Sequence, residues 1–166
     1  AENDVLITLG ITPTRPDTGY GYIQATDEKL ESNPDIVKVK TFTEKPNQEI
    51  AQVFYESGDF SWNSGMFIWS SKSIVKSFEQ NMTKIHNLFI DGFGIYSSNQ
   101  EKEFINQIYA QCVNISVDYA ILEKANNVFV LACDIGWTDL GTWGSLYTQV
   151  NQDEKENAIV GDSVKI

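Results

Sequence analysis

An acidic residue lies between two tryptophans in the segment "GWTDLGTW", where Asp139 separates Trp137 from Trp143. The segment follows a strand-forming run and precedes a helical pattern. Ligands of open α/β sheets bind at such strand ends, and Mg²⁺ accepts one or two carboxylates among its oxygen ligands. Asp139 is therefore a candidate metal ligand. The same position also suits a helix N-cap, which needs no ligand.

A carboxylate and an ammonium group are adjacent in "FTEKP", where Glu44 and Lys45 end a strand pattern that Pro46 stops. Successive strand residues point to opposite faces, but the twist into a turn at a strand end brings both side chains to one rim. Lysine suits a phosphate, and glutamate accepts hydrogen bonds from sugar hydroxyls. The alternative is a solvated strand edge that ends in an ordinary proline.

Two further segments combine polar groups with glycine. In "FSWNSGMFIWS", Asn63 can both donate to and accept from a hydroxyl, and Gly65 allows close approach of a ligand or backbone. In "TGYGYI", Gly19 and Gly21 flank Tyr20 and leave backbone amides accessible to a ligand. A plain turn and a flexible loop, respectively, are the alternative interpretations.

Five strand-forming runs alternate with helical patterns along the chain. The runs are "DVLITLGI", "YIQAT", "IVKVKTFTEK", "FSWNSGMFIWS" and "NVFVLAC". The segment "KLESNPD" between the second and third runs indicates a turn. This alternation predicts an α/β domain with a largely parallel or mixed sheet.

The helical patterns carry recognisable ends. "NQEIAQVFYESG" has Ile50, Val53 and Phe54 on one face and Gly58 as its C-terminal stop. "SVDYAILEKAN" begins with Ser116 as N-cap and has Asp118 in its first turn. Helices are also predicted for "SKSIVKSFEQNM", "NQEKEFINQIYAQC" and "LGTWGSLYTQV", and "NAIVGDSVKI" is expected to begin a strand.

Composition limits the classes of partner. The formal net charge is −11, and no basic stripe is present, which argues against a nucleic-acid partner. No apolar run is long enough to cross a bilayer, so we expect no membrane association. Cys112 and Cys133 are too few for a disulfide framework. We interpret them as small buried side chains of a protein from a reducing compartment, the cytoplasm.

Taken in order, five segments resemble those of one family. They are "LGITPTRPDTGYGYI", "FTEKP", "WNSGMFIW", "SVDYAILEK" and "GWTDLGTW". The chain resembles the sugar-phosphate nucleotidylyltransferases, and most closely the mannose-1-phosphate guanylyltransferases. The likeness covers nearly the whole chain, and the order of five motifs makes it specific. It implies a Rossmann-like, mixed α/β nucleotidyltransferase fold.

The resemblance implies a reaction. A phosphate oxygen of mannose 1-phosphate attacks the α-phosphorus of GTP, so that GDP-mannose forms and pyrophosphate leaves, with Mg²⁺ as the required metal. No covalent nucleophile on the protein is needed, because the substrate phosphate is the nucleophile. In-line displacement between two anions depends on alignment and charge neutralisation.

The resemblance also implies roles for single residues. Gly21 lies along the sugar phosphate, Glu44 holds mannose hydroxyls and Asn63 contacts the sugar. Lys45 neutralises the sugar phosphate, and Asp139 binds the Mg²⁺ that bridges the phosphates. Lys45 and Asp139 are the implied catalytic residues. Asp118 belongs to the substrate-binding set, where it holds a neighbouring loop or caps its helix.

A third implication concerns what the chain does not contain. The family's glycine-rich loop, with its Arg and Lys, and a second metal-binding Asp are expected upstream of residue 1. Residues 1–150 are then the sugar-phosphate-binding portion of the catalytic domain, and residues 151–166 begin a truncated C-terminal region. Such a chain is expected to be inactive alone. It is also expected to expose a sheet edge and apolar surface, and to self-associate as a homo-oligomer.

Three alternatives remain open at this point. The enzyme could use another sugar 1-phosphate and another base, such as a uridylyl or thymidylyl donor, because the base-reading residues are not in this sequence. The chain could instead be a non-catalytic subunit that binds a sugar nucleotide. The third alternative is a structural α/β domain in which these motifs are turns and caps.

Overall fold

The computed structural model describes residues 4–161, which divide into two compact units. The first unit extends to Cys133, and the second begins at Asp134. The predicted boundary between residues 150 and 151 concerns the parent enzyme and stays a prediction. No helix among the described residues is long and apolar enough to cross a membrane.

The first unit contains five strands. They are β1 (Leu6–Ile11), β2 (Gly21–Leu30), β3 (Asn33–Thr43), β4 (Phe60–Trp69) and β5 (Val128–Cys133). Its helices are α1 (Gln48–Ser57), α2 (Ser71–Asn81), α3 (Thr83–Ile90) and α4 (Glu101–Tyr109), followed by a π-helical turn at Asp118–Leu122. The second unit contains the short helix α5 (Trp143–Tyr147). This mixture of strands and helices confirms the predicted α/β class.

The strands close into a ring in the order β1, β4, β2, β3, β5. Strands β1 and β5 pair in parallel, and the other four pairings are antiparallel, so the sheet is mixed. The expectation of an exposed sheet edge is wrong for the described residues, because each of their strands has two neighbours. Exposed apolar side chains do occur in this part of the chain, with Phe93 81% and Trp143 87% exposed.

Strands β2 and β3 form a longer hairpin than the sequence predicts. Only Glu31 and Ser32 form the turn, whereas "KLESNPD" was expected to be a turn throughout. The polar residues of that segment extend the two strands beyond the core, where solvent-exposed side chains need no apolar alternation. The other three predicted strands are confirmed at or near their expected ends.

Helix α1 begins and ends as its sequence indicates, but only Phe54 of the predicted face packs against the sheet. The Asn47 side chain accepts a hydrogen bond from the Ile50 amide, and Gly58 ends the helix in the left-handed conformation. Ile50 and Val53 are 41% and 62% exposed, which contradicts their predicted burial face. Ala51 is fully buried, and Phe54 stacks on Phe60 at 3.9 Å between ring centroids.

The hydrophobic core lies inside the ring and against the π-helical turn. Its members are Leu6, Ile23, Phe42, Ala120, Ile121, Leu122, Val128 and Val130. Because three consecutive residues of the turn are buried, the predicted helix in "SVDYAILEKAN" is replaced by one wide turn that directs them all inward. This packing fixes the position of Asp118, the first residue of the turn.

Candidate functional site

The site is centred on Asn63 of β4, which pairs with Gly21 of β2 on one side and Gly10 of β1 on the other. Gly21 is buried. A Cβ atom at Gly21 would collide with the Oε2 atom of Glu44 and would lie 3.3 Å from Cβ of Asn63. The missing side chain of Gly21 therefore makes the space in which the Glu44 carboxylate approaches the strand.

Glu44 and Lys45 follow β3 and lie on one rim. The Lys45 Nζ atom is 2.5 Å from Oε1 of Glu44. The Glu44 side chain is only 7% exposed, whereas that of Lys45 is 59% exposed. Lys45 has φ of 46°, in the left-handed region that non-glycine residues rarely adopt. In a regular strand the side chains of Glu44 and Lys45 would point to opposite faces. The left-handed conformation of Lys45 breaks this alternation, so that both side chains point to the same side.

The π-helical segment contacts the backbone of the same turn. The Tyr119 hydroxyl donates to the Glu44 carbonyl oxygen at 3.5 Å, and the Glu44 amide donates to Oε1 of Glu123 at 3.4 Å. These long hydrogen bonds come from residues on either side of the buried core segment. The core packing of the π-helical turn thus supports the position of the Glu44–Lys45 turn.

A chain of buried hydrogen bonds joins β1, β4 and the π-helical turn. The Thr8 hydroxyl donates to Oδ1 of Asn63 at 2.8 Å, and Nδ2 of Asn63 donates to Oδ1 of Asp118 at 3.0 Å. Thr8 is fully buried and Asn63 is 8% exposed. The contact with Asn63 is more specific than the loop-holding or capping role expected for Asp118. The Ser116 hydroxyl, just before this segment, accepts a long hydrogen bond from the Tyr119 amide at 3.5 Å.

The loop before Gly21 is held by a guanidinium group. Arg15 donates from Nε and one terminal nitrogen to Oδ2 of Asp17, at 3.0 and 2.6 Å. Its guanidinium centre lies 5.3 Å from the Trp62 ring and 5.8 Å from the Tyr20 ring. Oδ1 of Asp17 accepts from the Gly19 amide at 2.8 Å. These contacts connect the loop to Trp62 of β4.

Asp139 belongs to the second unit and is exposed. Its Oδ1 atom accepts a hydrogen bond from the Gly141 amide at 3.1 Å. The N-cap of α5 is Thr142, which forms a capping box with Ser145. The alternative interpretation of Asp139 as that helix cap is therefore wrong. Among residues 4–161, no group of three or more His, Cys, Asp and Glu side chains is arranged to hold a metal.

The first unit therefore brings together Gly21, Glu44, Lys45, Asn63 and Asp118 of the predicted set. Sequence reasoning missed Thr8, Arg15, Tyr119 and Glu123, which support them. The signal for Thr8 is a polar residue at a core-facing position of an apolar strand, where a buried hydroxyl needs a partner. The assembled groups can accept hydrogen bonds from hydroxyls and attract an anion, and they contain no activated nucleophile.

The first unit is thus a mixed α/β unit in which a carboxylate, an ammonium group and an amide-bearing residue lie on, or directly after, neighbouring strands around Gly21. Residues 1–156 match the nucleotidyl transferase family, and the chain belongs to that family.

Two relatives that share one enzyme name are similar to this chain over almost its whole length. The chain is 36% identical to a mannose-1-phosphate guanylyltransferase of Escherichia coli, an alignment that covers 99% of this chain and 36% of that protein. It is 34% identical to the Klebsiella pneumoniae enzyme of the same name, covering 98% of this chain and 35% of that protein. The chain thus spans about a third of the length of these curated relatives.

Solved structures share the fold. A Thermus thermophilus structure, titled mannose-1-phosphate geranyltransferase, superposes with a TM-score of 0.80 at 29% identity. The superposition covers 98% of this chain and 45% of that one. A Helicobacter pylori structure, titled mannose-6-phosphate isomerase, has a TM-score of 0.66 at 22% identity, covers 82% of this chain and 53% of that one, and shows the fold alone.

The ammonium group of Lys45 titrates above its ordinary value. The hydrogen bond to Glu44 raises the pKa of Lys45, burial opposes the shift, and the charge of Glu44 reinforces it. A pKa above the unfolded value of 10.5 means that the pairing stabilises the fold below that pH. The contribution is lost as the pH rises through the folded-state pKa. At neutral pH, Lys45 is therefore a fixed positive charge.

We expect Glu44→Gln to lower the pKa of Lys45 towards its ordinary value, because the charged acceptor is removed. The measurement is a pH titration of the Lys45 Cε and Nζ resonances by NMR. Glu28→Gln is the matched control, since Glu28 pairs with Lys38 at 3.1 Å and contacts neither Glu44 nor Lys45 in the described hydrogen bonds. An unchanged Lys45 pKa in Glu44→Gln would contradict this origin of the shift.

Proposed function

We propose that this chain forms the sugar-phosphate-binding part of an enzyme that transfers GMP from GTP to mannose 1-phosphate. The products are GDP-mannose and pyrophosphate. The observation that carries the proposal is the meeting of the Glu44–Lys45 pair with Asn63 around Gly21. The Glu44 carboxylate lies against Gly21 and pairs with the Lys45 ammonium group, and Gly21 pairs with Asn63 across the sheet. The names of the relatives supply the sugar and the base.

The proposed binding mode follows from donor and acceptor chemistry. The Glu44 carboxylate accepts hydrogen bonds from mannose hydroxyls, and Asn63 contacts the same sugar. The backbone of Gly21 lies along the sugar phosphate. The ammonium group of Lys45 has three donors, so it can retain Glu44 and also donate to a phosphate oxygen. Asp118 acts on the substrate through its hydrogen bond to the Asn63 amide.

The proposed catalysis consists of alignment and charge neutralisation. The phosphate of mannose 1-phosphate is the nucleophile, and it must approach the α-phosphorus of GTP against like-charge repulsion. Lys45 lowers this repulsion, and its ion pair with Glu44 fixes the direction from which it acts. The buried carboxylate of Glu44 orients the sugar, which sets the angle of attack. The protein itself forms no covalent bond.

We expect Lys45→Met to weaken the binding of mannose 1-phosphate by about tenfold or more, because a charge-assisted hydrogen bond contributes about 1.5–3 kcal/mol. Isothermal titration calorimetry with mannose 1-phosphate measures the loss. Lys102→Met, at an exposed position on α4, is the matched control for net charge. Equal losses in the two variants would reduce the effect to long-range electrostatics and contradict a direct role for Lys45.

The proposed metal is Mg²⁺, with Asp139 as its ligand from this chain. The exposed carboxylate of Asp139 has the hard oxygen donors that Mg²⁺ takes in small number, with the remaining ligands being water and substrate phosphates. The residue thus fits such a site. When bound, the ion would neutralise the phosphates of the nucleotide. A second Asp, from the part of the enzyme outside these 166 residues, would complete the protein ligands.

We expect Mg²⁺ to strengthen the binding of GDP-mannose to the unmodified chain, and Asp139→Asn to remove most of that gain. The amide keeps the acceptor for Gly141 but lacks the charge that attracts the cation. Calorimetric titrations with and without Mg²⁺ measure the difference. Asp134→Asn is the matched control, because Asp134 is also exposed in the second unit. A full Mg²⁺ effect in Asp139→Asn would exclude this carboxylate as the ligand.

The proposal assigns GTP recognition to residues outside this chain, because the chain spans about a third of its relatives. We therefore expect the purified 166-residue chain to bind mannose 1-phosphate without forming GDP-mannose. Mass spectrometry of mixtures with GTP, UTP or dTTP and Mg²⁺ tests this. GDP-mannose from the isolated chain would contradict it. Binding of GDP-mannose but not mannose 1-phosphate would favour a non-catalytic sugar-nucleotide-binding subunit.

The remaining assignments are also proposals. We propose a cytoplasmic enzyme that forms homo-oligomers and has neither a nucleic-acid nor a membrane partner. Support for self-association is the exposure of large apolar side chains such as Phe93 and Val160, which are 81% and 78% exposed. The net charge of −11 supports the exclusion of nucleic acid.

A further inference from the structure

The side-chain amide of Asn63 is almost fully used inside the protein. Its Oδ1 atom accepts from the Thr8 hydroxyl at 2.8 Å and from the Gly65 amide at 3.3 Å. An amide oxygen has two lone pairs, so both are occupied. One hydrogen of Nδ2 is donated to Asp118 at 3.0 Å. One N–H bond is left for a ligand.

Asp118 and the Gly65 N–H determine which way the Asn63 amide points, whereas the Thr8 hydroxyl can either donate or accept. Rotation of the amide by 180° would turn Oδ1 towards the Asp118 carboxylate and Nδ2 towards the Gly65 N–H. An acceptor would then face an acceptor at Asp118, and a donor would face a donor at Gly65, so both hydrogen bonds would be lost. In a site where Thr8 is fully buried and Asn63 is 8% exposed, water compensates little for such losses.

We propose that Thr8 is a positioning residue whose buried hydroxyl occupies one lone pair of the Asn63 Oδ1 atom, so that this amide, oriented by Asp118 and the Gly65 N–H, offers the substrate one N–H donor and no acceptor. Thr8 contacts the substrate only through Asn63. Its hydroxyl is 2.8 Å from Oδ1 of Asn63 and 3.4 Å from the Met66 carbonyl oxygen, so the Asn63 contact is the closer of the two.

This fixed polarity determines how a hydroxyl binds in the site. A hydroxyl group beside Asn63 must accept the N–H hydrogen bond, so its own hydrogen must go to another acceptor. We assign that acceptor to Glu44, because its Oε2 atom lies against Gly21, the residue that pairs with Asn63 across the sheet. The pair therefore selects a hydroxyl that accepts on one side and donates on the other. That this hydroxyl belongs to mannose 1-phosphate rests on the proposed function.

The test compares Thr8→Val with Thr8→Ser. Valine keeps the shape of threonine and removes the hydroxyl, whereas serine keeps the hydroxyl and removes a methyl group. One readout is the NMR signal of the Asn63 Nδ2 hydrogens, and a second is the calorimetric affinity for mannose 1-phosphate. The NMR readout requires no ligand. Its assignment comes from the signals lost in Asn63→Asp.

We expect Thr8→Val to shift the Asn63 amide resonances and to weaken mannose 1-phosphate binding about three- to tenfold, in line with the loss of one hydrogen bond. Thr8→Ser should keep the resonances near their original positions and the affinity within about twofold. Unchanged Asn63 resonances in Thr8→Val would overturn the inference. Equal losses in both variants would also overturn it, because they would assign the effect to packing.

Two further outcomes remain decisive. If the unmodified chain does not bind mannose 1-phosphate, the proposed function fails, and the NMR comparison still decides the role of Thr8. If Thr8→Val does not fold, Thr8→Ala replaces it, because it differs from Thr8→Ser by the hydroxyl alone. Asn63 resonances that are the same in Thr8→Ala and Thr8→Ser would overturn the inference.

Discussion

The burial of the Glu44 carboxylate against the backbone of Gly21 is the contact on which the rest of the site depends. A carboxylate with 7% of its side chain exposed requires partners, and the structure supplies Lys45 at 2.5 Å. No residue with a side chain fits at Gly21 without displacing the Glu44 Oε2 atom or crowding Asn63. The proposed sugar site thus depends on one missing side chain and one retained charge pair.

Two regions of the fold hold this contact in place. The strand ring holds Asn63 between Gly10 and Gly21, so that β4 presents its amide from the centre of the sheet. The π-helical turn buries Ile121 in the core and thereby positions Asp118 and Tyr119 on the side of the Glu44–Lys45 turn. The strained backbone conformation of Lys45, with φ of 46°, is held in place by this surrounding structure.

Local patterns predicted the parts of the fold that local forces determine. Apolar runs identified the strands, and Gly58 identified the end of α1, because these features depend on neighbouring residues. The closed ring was not predictable in this way. It requires the parallel pairing of β1 with β5, which are far apart in sequence, and local periodicity carries no information about such pairing. The burial face of α1 was predicted only in part for the same reason: Phe54 stacks on Phe60 of β4 as its place on that face suggests, whereas Ile50 and Val53 are exposed.

The residues of the candidate site were also predictable only where residue type or motif order identifies them. Residue type and motif order, read through the family resemblance, identified Gly21, Glu44, Lys45, Asn63 and Asp118, and these five meet in the first unit. Their support was not identified, because Thr8, Tyr119 and Glu123 act through contacts across 55 to 79 positions of the chain. For Thr8 alone the sequence contains a signal that could have been used, namely a hydroxyl residue within an apolar strand.

The most direct test of a sugar-phosphate site at Gly21 is an amide-resonance titration of the chain with mannose 1-phosphate. We predict that the largest chemical-shift changes occur at Gly21, Lys45 and Asn63, with saturation at one stoichiometric equivalent. Changes confined to another part of the first unit, such as α3, with Gly21 and Asn63 unaffected, would contradict the assignment of this site.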